Sequence, residues 1–473
     1  MLSFIPTQPG TGKTHYMISD ILFSYKNVKH LIVQPTIALQ EQTYDDLQSI
    51  APFIKVLNDE TKVSNLLAEI RLAISDSTVR VVFITEAMFY FLQPNEVERY
   101  RIWMDDCIEF SDNFITGISV SEYEQWSTIF SQNIFEVTSP YNQHFDEVQI
   151  KEPHIGMSDE TIKIATMLRQ NMRKFNKIAV NNDYVNNPPV SDSQKRFITL
   201  IGWHDLEVYK GHDMIFMANN FNTTLLYQYN SQYFQKLEFE GRAPIDVSRL
   251  DVRYFVPSSA TTYGLTKEFI KKDHAKKAVE KMVGYINENE NKFYYTSNIN
   301  CPNLNGDYFP PVLRGKNNLQ HYTTAVWLSC MNPTPAESKA YSKLFGFSSL
   351  AIKTERELEV LYQFITRGII RRRDTDKKMV VYVLTEDQAL YLTDTPTFID
   401  YEIIHKKASK GGQPAVLNEE QQKRWNAFKK SCQRDKKNPG YSQEKLKEFF
   451  SKNDFSEDVL QFFTKQHNKL LEK

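Results

Sequence analysis

The sequence predicts an α/β protein with two parallel-sheet lobes, an insertion and a small C-terminal helical region. Short apolar runs alternate with helically spaced stretches over residues 1–130, and again over 276–385. Such alternation is the signature of a mostly parallel sheet covered on both faces. Glycine is scarce, 16 in 473 residues, yet two glycines fall together in PGTGKT (9–14), directly after the first apolar run.

LSFI (2–5) reads as a strand, and Lys13 to Tyr25 as a helix with Met17, Ile21 and Leu22 on one face. KHLIVQP (29–35) is a buried strand that stops at Pro35; RVVFIT (80–85) and RIWM (101–104) are two more. Residues 111–212 are less regular. NNDYVNNPPVSDSQKR (181–196) is polar with two prolines and reads as a loop or insertion. DMIFMA (213–218) is strand-like, and 240–265 reads as the crossing between lobes. In the second half KKAVEKMVGYI (276–286) is helical. KFYYTS (292–297), TTAVWLS (323–329) and KMVVYVLT (378–385) are strand-like, and ELEVLYQFITRGII (357–370) is one helix. The expected divisions are lobe 1 over 1–245 with an insertion around 144–212, lobe 2 over 246–405, a linker at 406–415 and a basic helical region over 416–473.

Acidic and basic residues nearly cancel, 58 against 57, so whole-chain charge neither requires nor excludes nucleic acid. The last region carries 13 basic and 9 acidic residues. Lys423–Lys437 interleaves Trp425 and Phe428 with a basic run, which fits a nucleic-acid patch or a charged helix face equally well. Cys107, Cys301, Cys330 and Cys432 lack zinc-ligand spacing and read as reduced thiols. No apolar run approaches the ~18–20 residues that span a bilayer. The first residues have neither a basic start nor a long apolar stretch, so no signal peptide is expected, and the chain reads as cytoplasmic with no membrane partner.

PTQPGTGKT (6–14) between a strand and a helix is the context of a phosphate-binding loop. Gly10, Thr11 and Gly12 let backbone N–H groups turn toward phosphate. Lys13 brings a charge to the β/γ-phosphates, Thr14 offers a hydroxyl to Mg²⁺, and the helix N-terminus adds partial positive charge. ATP and Mg²⁺ are therefore the expected ligands. Thr7 stands where the strict pattern has glycine. IWMDD (102–106) is an apolar strand ending in acids: Asp105 would hold Mg²⁺, and Asp106 would orient the attacking water, with Glu109 as a helper. VVFITE (81–86) is a rival that lacks the aspartate.

In this order the motifs resemble a superfamily 2 helicase or translocase, with tandem RecA-like lobes, over roughly residues 1–390. VQPTIALQEQ (33–42) is similar to motif Ia and FITEAM (83–88) to motif Ib, while Asp105-Asp106 stands where motif II has Asp-Glu. Either MIFMANN (214–220) or VTSP (137–140) occupies the place of motif III, without the family's Ser-Ala-Thr. FYYTS (293–297) resembles motif IV, RGKNN (314–318) motif V and QFITRGIIR (363–371) motif VI, whose last arginine comes one residue late. The resemblance implies ATP hydrolysis between two lobes, with Gln363, Arg367 and Arg371 on one helix face and Arg367 as the finger on the γ-phosphate. It implies nucleic-acid contact through Pro35, Thr36, Thr85, Arg314 and Lys316, DNA favoured over RNA; Trp103 and Tyr294 are stacking candidates, with a core role the better reading of any single aromatic. The glycine-poor, Asn/Tyr/Lys-rich composition is similar to that of phage or viral replication helicases, which would place the chain in a host cytoplasm. The basic C-terminal region is a candidate dock for a replication or recombination protein. An oligomeric AAA+-type ATPase, a packaging-type motor and a non-hydrolysing nucleotide-binding scaffold are the alternatives.

Overall fold

The computed structural model describes residues 1–6, 8–118, 120, 135–152, 158–182, 196–257, 273–297, 304–313, 318–400, 425–428, 439–451 and 464. Thr7, Arg314 and Lys316 lie outside them. Met1–Pro257 with Tyr263–Ile404 form one compact unit, and Ser258–Thr262 with His405–Lys473 a second.

The first sheet is built from β1 (Leu2–Phe4), β2 (Lys29–Gln34), β3 (Ile54–Val56), β4 (Val81–Thr85), β5 (Tyr100–Asp105), β11 (Asp213–Met217) and β12 (Phe234–Lys236). Its order is β12-β1-β11-β5-β2-β4-β3, and every pair is parallel. Both faces are covered, so the strands are apolar without alternation: β4 is buried at every residue. On one face Ile32, Phe83, Trp103 and Ile215 pack with Met17, Ile18 and Ile21 of α1 (Lys13–Ser24). Trp103 is wholly buried, so it is a core residue and not a base-stacking platform. On the other face Leu31, Ile84 and Met104 pack with Ile70 of α3 (Leu66–Ser75). Between these helices, α2 (Ile37–Asp46) follows β2.

Inserted between β5 and β11 is a five-stranded antiparallel sheet, ordered β6-β10-β9-β8-β7. Its strands are β6 (Ser111–Ile118), β7 (Phe135–Pro140), β8 (Phe145–Ile150), β9 (Lys177–Asn181) and β10 (Arg196–Trp203). Helix α4 (Asp159–Met172) sends Ala165, Leu168 and Met172 against Val148, Ile198 and Leu200 of this sheet. The sheet begins at Ser111, well before the expected 144. VTSP (137–140) lies in its edge strand β7, away from the parallel sheet. Helix α5 (Leu225–Asn230) follows β11.

The second parallel sheet has six strands, β15-β14-β16-β17-β13-β18. They are β13 (Leu250–Val256), β14 (Tyr294–Ser297), β15 (Asp307–Tyr308), β16 (Thr324–Leu328), β17 (Met379–Thr385) and β18 (Thr397–Phe398). The stretch read as a crossing between lobes thus contributes β13, paired in parallel to β17. Helices α6 (Asp273–Asn289), α7 (Pro335–Phe345), α8 (Ser349–Lys353), α9 (Glu359–Ile365) and α10 (Glu386–Leu392) complete the lobe. Tyr341 and Leu344 of α7 and Ile352 of α8 bury into the core of the first lobe. Asn113 Nδ2 of β6 donates to Glu337 Oε1 of α7 over 2.7 Å, tying the inserted sheet to the second lobe.

In the second unit, helix α11 (Pro439–Ser451) brings Phe449 against Phe428, ring centroids 4.6 Å apart. Trp425 and Phe428 are buried there, so these two aromatics build that unit's core and do not offer base-stacking faces. No helix among the described residues is long and apolar enough to cross a membrane.

One buried group makes the fold acid-sensitive. His30 of β2 is fully buried; its Nδ1 accepts from Trp103 Nε1 at 3.2 Å, and its Nε2 lies 2.9 Å from Ser24 Oγ. Since Ser24 Oγ donates to Asp20 O, the ring is neutral with its proton on Nε2. A second proton would meet the indole N–H. Burial lowers the pKa to about 4, from 6.5 unfolded. The unfolded chain therefore takes up the proton first, and stability is lost as pH falls from 6.5 toward 4, by about 3 kcal/mol in all. Urea unfolding at pH 7 and pH 4.5 is expected to show this loss, and His30→Leu is expected to flatten it.

Candidate nucleotide site

The phosphate loop gets its shape from two left-handed glycines, Gly10 at φ 76° and Gly12 at φ 97°, a region that other residues enter only with strain. Gly12 ends the loop and caps α1, so the helix N-terminus points at the site. Thr11 Oγ1 and Lys13 Nζ both donate to the Gln8 carbonyl, at 2.9 and 3.1 Å.

A cavity of about 990 Å³ opens over this loop. From the first lobe, Gly10, Gly12, Lys13, Thr14, Asp105, Asp106 and Asn219 line it; from the second, Gln363, Arg367 and Arg371. Thr11 is buried beneath. The aspartates arrive because β5 ends at Asp105, beside β11. Met217 pairs with Asp105, and the Asp106 N–H donates to the Met217 carbonyl at 3.0 Å. Asp106 then turns at φ 62°. Asp105 is buried, with Gln34 Nε2 donating to its Oδ2 at 2.8 Å.

The stretch that resembles motif VI, 363–371, is not one helix. Helix α9 ends at Ile365, Thr366 closes it, Gly368 is extended at ψ −163°, and a short 3-10 turn holds Arg371. Thr366 is β-branched and Gly368 conformationally free, so the chain breaks there. The expected shared helix face is thus replaced by a helix end, a kink and a turn, which still deliver Gln363, Arg367 and Arg371 to one cavity. Tyr294 OH donates to Phe364 O at 2.9 Å and Ile365 O at 3.2 Å, fixing the helix end. Tyr294 is fully buried, a structural use that removes it as a stacking candidate.

The electrostatics fit a polyanion with a divalent cation. Burial lowers Lys13 to about 8, against the pull of Asp106 and Asp105. It lowers Arg371 to about 10, helped by Arg367, and lowers Arg367 itself. Burial, then Asp106, raises Asp105 to about 7. Phosphates would favour the charged cations, and a cation would favour the charged Asp105. Asp105 and Thr14 line the same cavity and offer hard oxygens, a carboxylate and a hydroxyl, which would suit Mg²⁺.

The nucleic-acid candidates are less uniform. Pro35, Thr36 and Thr85 follow or end β2 and β4 at the same sheet edge as the phosphate loop. Thr36 Oγ1 accepts from Leu39 N at 3.3 Å as the cap of α2, and Thr85 is buried. Glu109 pairs with Lys174, and the rival acid Glu86 accepts from Glu109 N at 3.0 Å; neither lines the cavity. Residues that sequence reasoning missed include Gln34 and Glu359. Arg373 also reaches the loop, donating to Gly10 O at 3.3 Å.

No family model matches the sequence, and no curated protein matches it. Among solved structures, the chain is similar to "Structure of S. tokodaii Xpd4", at 12% identity and TM-score 0.40, over 84% of this chain and 96% of that one. It is also similar to "Structure of RecG bound to three-way DNA junction", at 11% identity, TM-score 0.32, and 83% and 42% coverage. A third is "Crystal Structure of DUF1998 helicase MrfA bound to DNA", at 10% identity, TM-score 0.34, and 82% and 45% coverage. This chain therefore spans less than half of the last two.

Proposed function

We propose that the cleft binds and hydrolyses ATP with Mg²⁺, and that the cycle drives movement along or unwinding of nucleic acid, DNA before RNA. The observation that carries this is the joining of Lys13, Asp105 and Asp106 from one parallel-sheet lobe with Arg367 and Arg371 from the other around one cavity. Lys13 exchanges the Gln8 carbonyl for the β/γ-phosphates. Asp105 and Thr14 would hold Mg²⁺, which when bound neutralises phosphate oxygens. Asp106 orients the attacking water, and Arg367 and Arg371 counter the charge that develops at the γ-phosphate. Because cations come from both lobes, nucleotide favours a closed cleft, and its loss an open one; alternating grip then gives stepping. We take lobe 1 as 1–245, carrying the inserted antiparallel sheet, lobe 2 as 246–405, and Pro35, Thr36, Arg314 and Lys316 as contacts to the strand. A ring ATPase draws its finger from a neighbouring subunit; here Arg367 reaches the cavity from the same chain, which favours a two-lobed motor.

The test is ATP hydrolysis by the protein alone and with single-stranded, duplex and branched DNA and RNA, with Lys13→Ala as the blank. Strong stimulation by one polymer, absent in the blank, is expected. Turnover indifferent to every polymer would move the assignment to a ring-type ATPase, and nucleotide binding without turnover to a scaffold.

A further inference from the structure

We infer that Glu359, on the second lobe, is a positioning residue for hydrolysis: it clamps the Asn219 amide so that Asn219 turns its carbonyl oxygen to the attacking water while the lobes are docked. The inference rests on the ATPase reading above and adds residues that lie outside the expected motif VI set.

Glu359 opens α9, four residues before Gln363. It accepts from Asn219 Nδ2 and from Tyr391 OH, and from Asn220 Nδ2 at 2.9 Å. The two asparagines follow β11 in the first lobe, so this is a contact between lobes. A carboxylate only accepts, so the Asn219 NH₂ must face Glu359 and its oxygen must point elsewhere. That oxygen is buried and has no hydrogen-bond partner among the described residues, although Asn219 lines the cavity and is only 4% exposed. Such an orphan acceptor carries a desolvation cost unless a donor reaches it.

The donor follows from the chemistry of the cavity. Phosphate oxygens accept, so they cannot satisfy Oδ1; with Lys13, Arg367 and Arg371 turned to the phosphates, a water is the donor left to do so. Asp106 lines the same cavity as Asn219, and its N–H donates to Met217 O, two residues before Asn219. Asp106 and Asn220 are the only non-glycine residues with positive φ among those described, at 62° and 41°, and they follow the neighbouring strands β5 and β11, by one and three residues. Strain at paired strand ends of this kind belongs to sites where geometry is being held. Asp106 is one methylene shorter than glutamate, so a second acceptor compensates by holding the other water hydrogen. The water oxygen then bonds to the γ-phosphorus as the bridging P–O bond breaks and ADP keeps the electron pair. One water proton passes to Asp106 and on to the released phosphate.

The test uses the full chain with its best stimulating polymer and ATP. It compares wild type, Glu359→Ala, Asn219→Ala, the double variant and Glu359→Gln, reading kcat and, separately, the Kd of a fluorescent N-methylanthraniloyl-ADP. Each alanine variant is expected to lower kcat by about 10²-fold, with Kd changed less than threefold. The double variant is expected to fall no further than the worse single, because both remove one water contact. Glu359→Gln, whose oxygen still accepts from Asn219, is expected to keep kcat within about tenfold of wild type, and it serves alone if Glu359→Ala folds poorly. Multiplying losses, an unchanged kcat, or a Glu359→Gln as impaired as Glu359→Ala would overturn the inference. A wild type without turnover would instead sink the ATPase reading.

Discussion

Arg367→Ala is expected to lower the rate of ATP hydrolysis by about 10³-fold or more, the range for an arginine that meets the transferring phosphoryl group. The structure fixes the backbone that carries this side chain. The Arg367 N–H donates to Phe364 O at 3.2 Å, and Tyr294 OH clamps the same carbonyl from β14. A Cβ on Gly368 would fall 2.5 Å from Met379 Cε, so the kink beside Arg367 is packed shut. Burial lowers the Arg367 pKa while Asp106 raises it, so the guanidinium sits within electrostatic reach of the Asp106 carboxylate in a desolvated site. Charge contacts are strongest under such conditions. Arg371 is nearer the phosphate loop: a Cβ on Gly10 would lie 3.8 Å from Arg371 Nε. Arg371→Ala is therefore expected to weaken nucleotide binding more than the chemical step. Single-turnover hydrolysis with a parallel Kd measurement separates the two. Arg367→Lys is expected to rescue little, since an ammonium lacks the planar fork. A loss below tenfold in Arg367→Ala, with a large rate loss in Arg371→Ala, would reassign the finger to Arg371.

These expectations depend on features of unequal visibility in the sequence. The glycine turn at 9–14 was plain, because a strand, a turn and a helix start are contiguous. Asp105-Asp106 was plain for the same local reason. The strands of both parallel sheets were legible as apolar runs, since burial on both faces removes alternation. Strand order was not legible. That β11 lies between β1 and β5, which puts Asn219 in the cavity, is a property of the whole sheet. The start of the inserted sheet was missed because SDNFITGI (111–118) has a polar opening and a glycine, and its pairing partner is β10, far along the chain. The segment 357–370 has helical spacing throughout; Thr366 and Gly368 mark the break only weakly, and the close approach of Gly368 to Met379 holds the kink in place. Glu359 looked like one acid in a helix. Its meaning comes from a contact with Asn219, 140 residues away in sequence, and spacing rules do not reach that far.

Asp105→Asn is expected to abolish Mg²⁺-dependent turnover, by about 10³-fold, while making the fold more stable. The catalytic side follows from charge: a neutral amide cannot hold Mg²⁺ as a carboxylate does, and a metal contact of this type contributes several kcal/mol to the transition state. The stability side follows from burial. Asp105 is 4% exposed, and Gln34 Nε2 donates to its carboxylate at 2.8 Å. Desolvation, then repulsion from Asp106, raises its pKa to about 7 from 3.8. A raised acid pKa means that the folded state holds the proton more tightly than the unfolded chain. The proton-linked stability is present at low pH and is lost as pH rises from 3.8 to 7, on the order of 4 kcal/mol. The substituted amide keeps an oxygen for Gln34 and never ionises, so the variant escapes that loss. Urea unfolding at pH 8 without nucleotide or Mg²⁺ is expected to show Asp105→Asn as the more stable protein. Hydrolysis at saturating ATP is expected to show it inactive at any Mg²⁺ concentration. A variant that was both inactive and destabilised would mean that Asp105 is a structural hydrogen-bonding group, and the Mg²⁺ role would pass to another residue of the cleft.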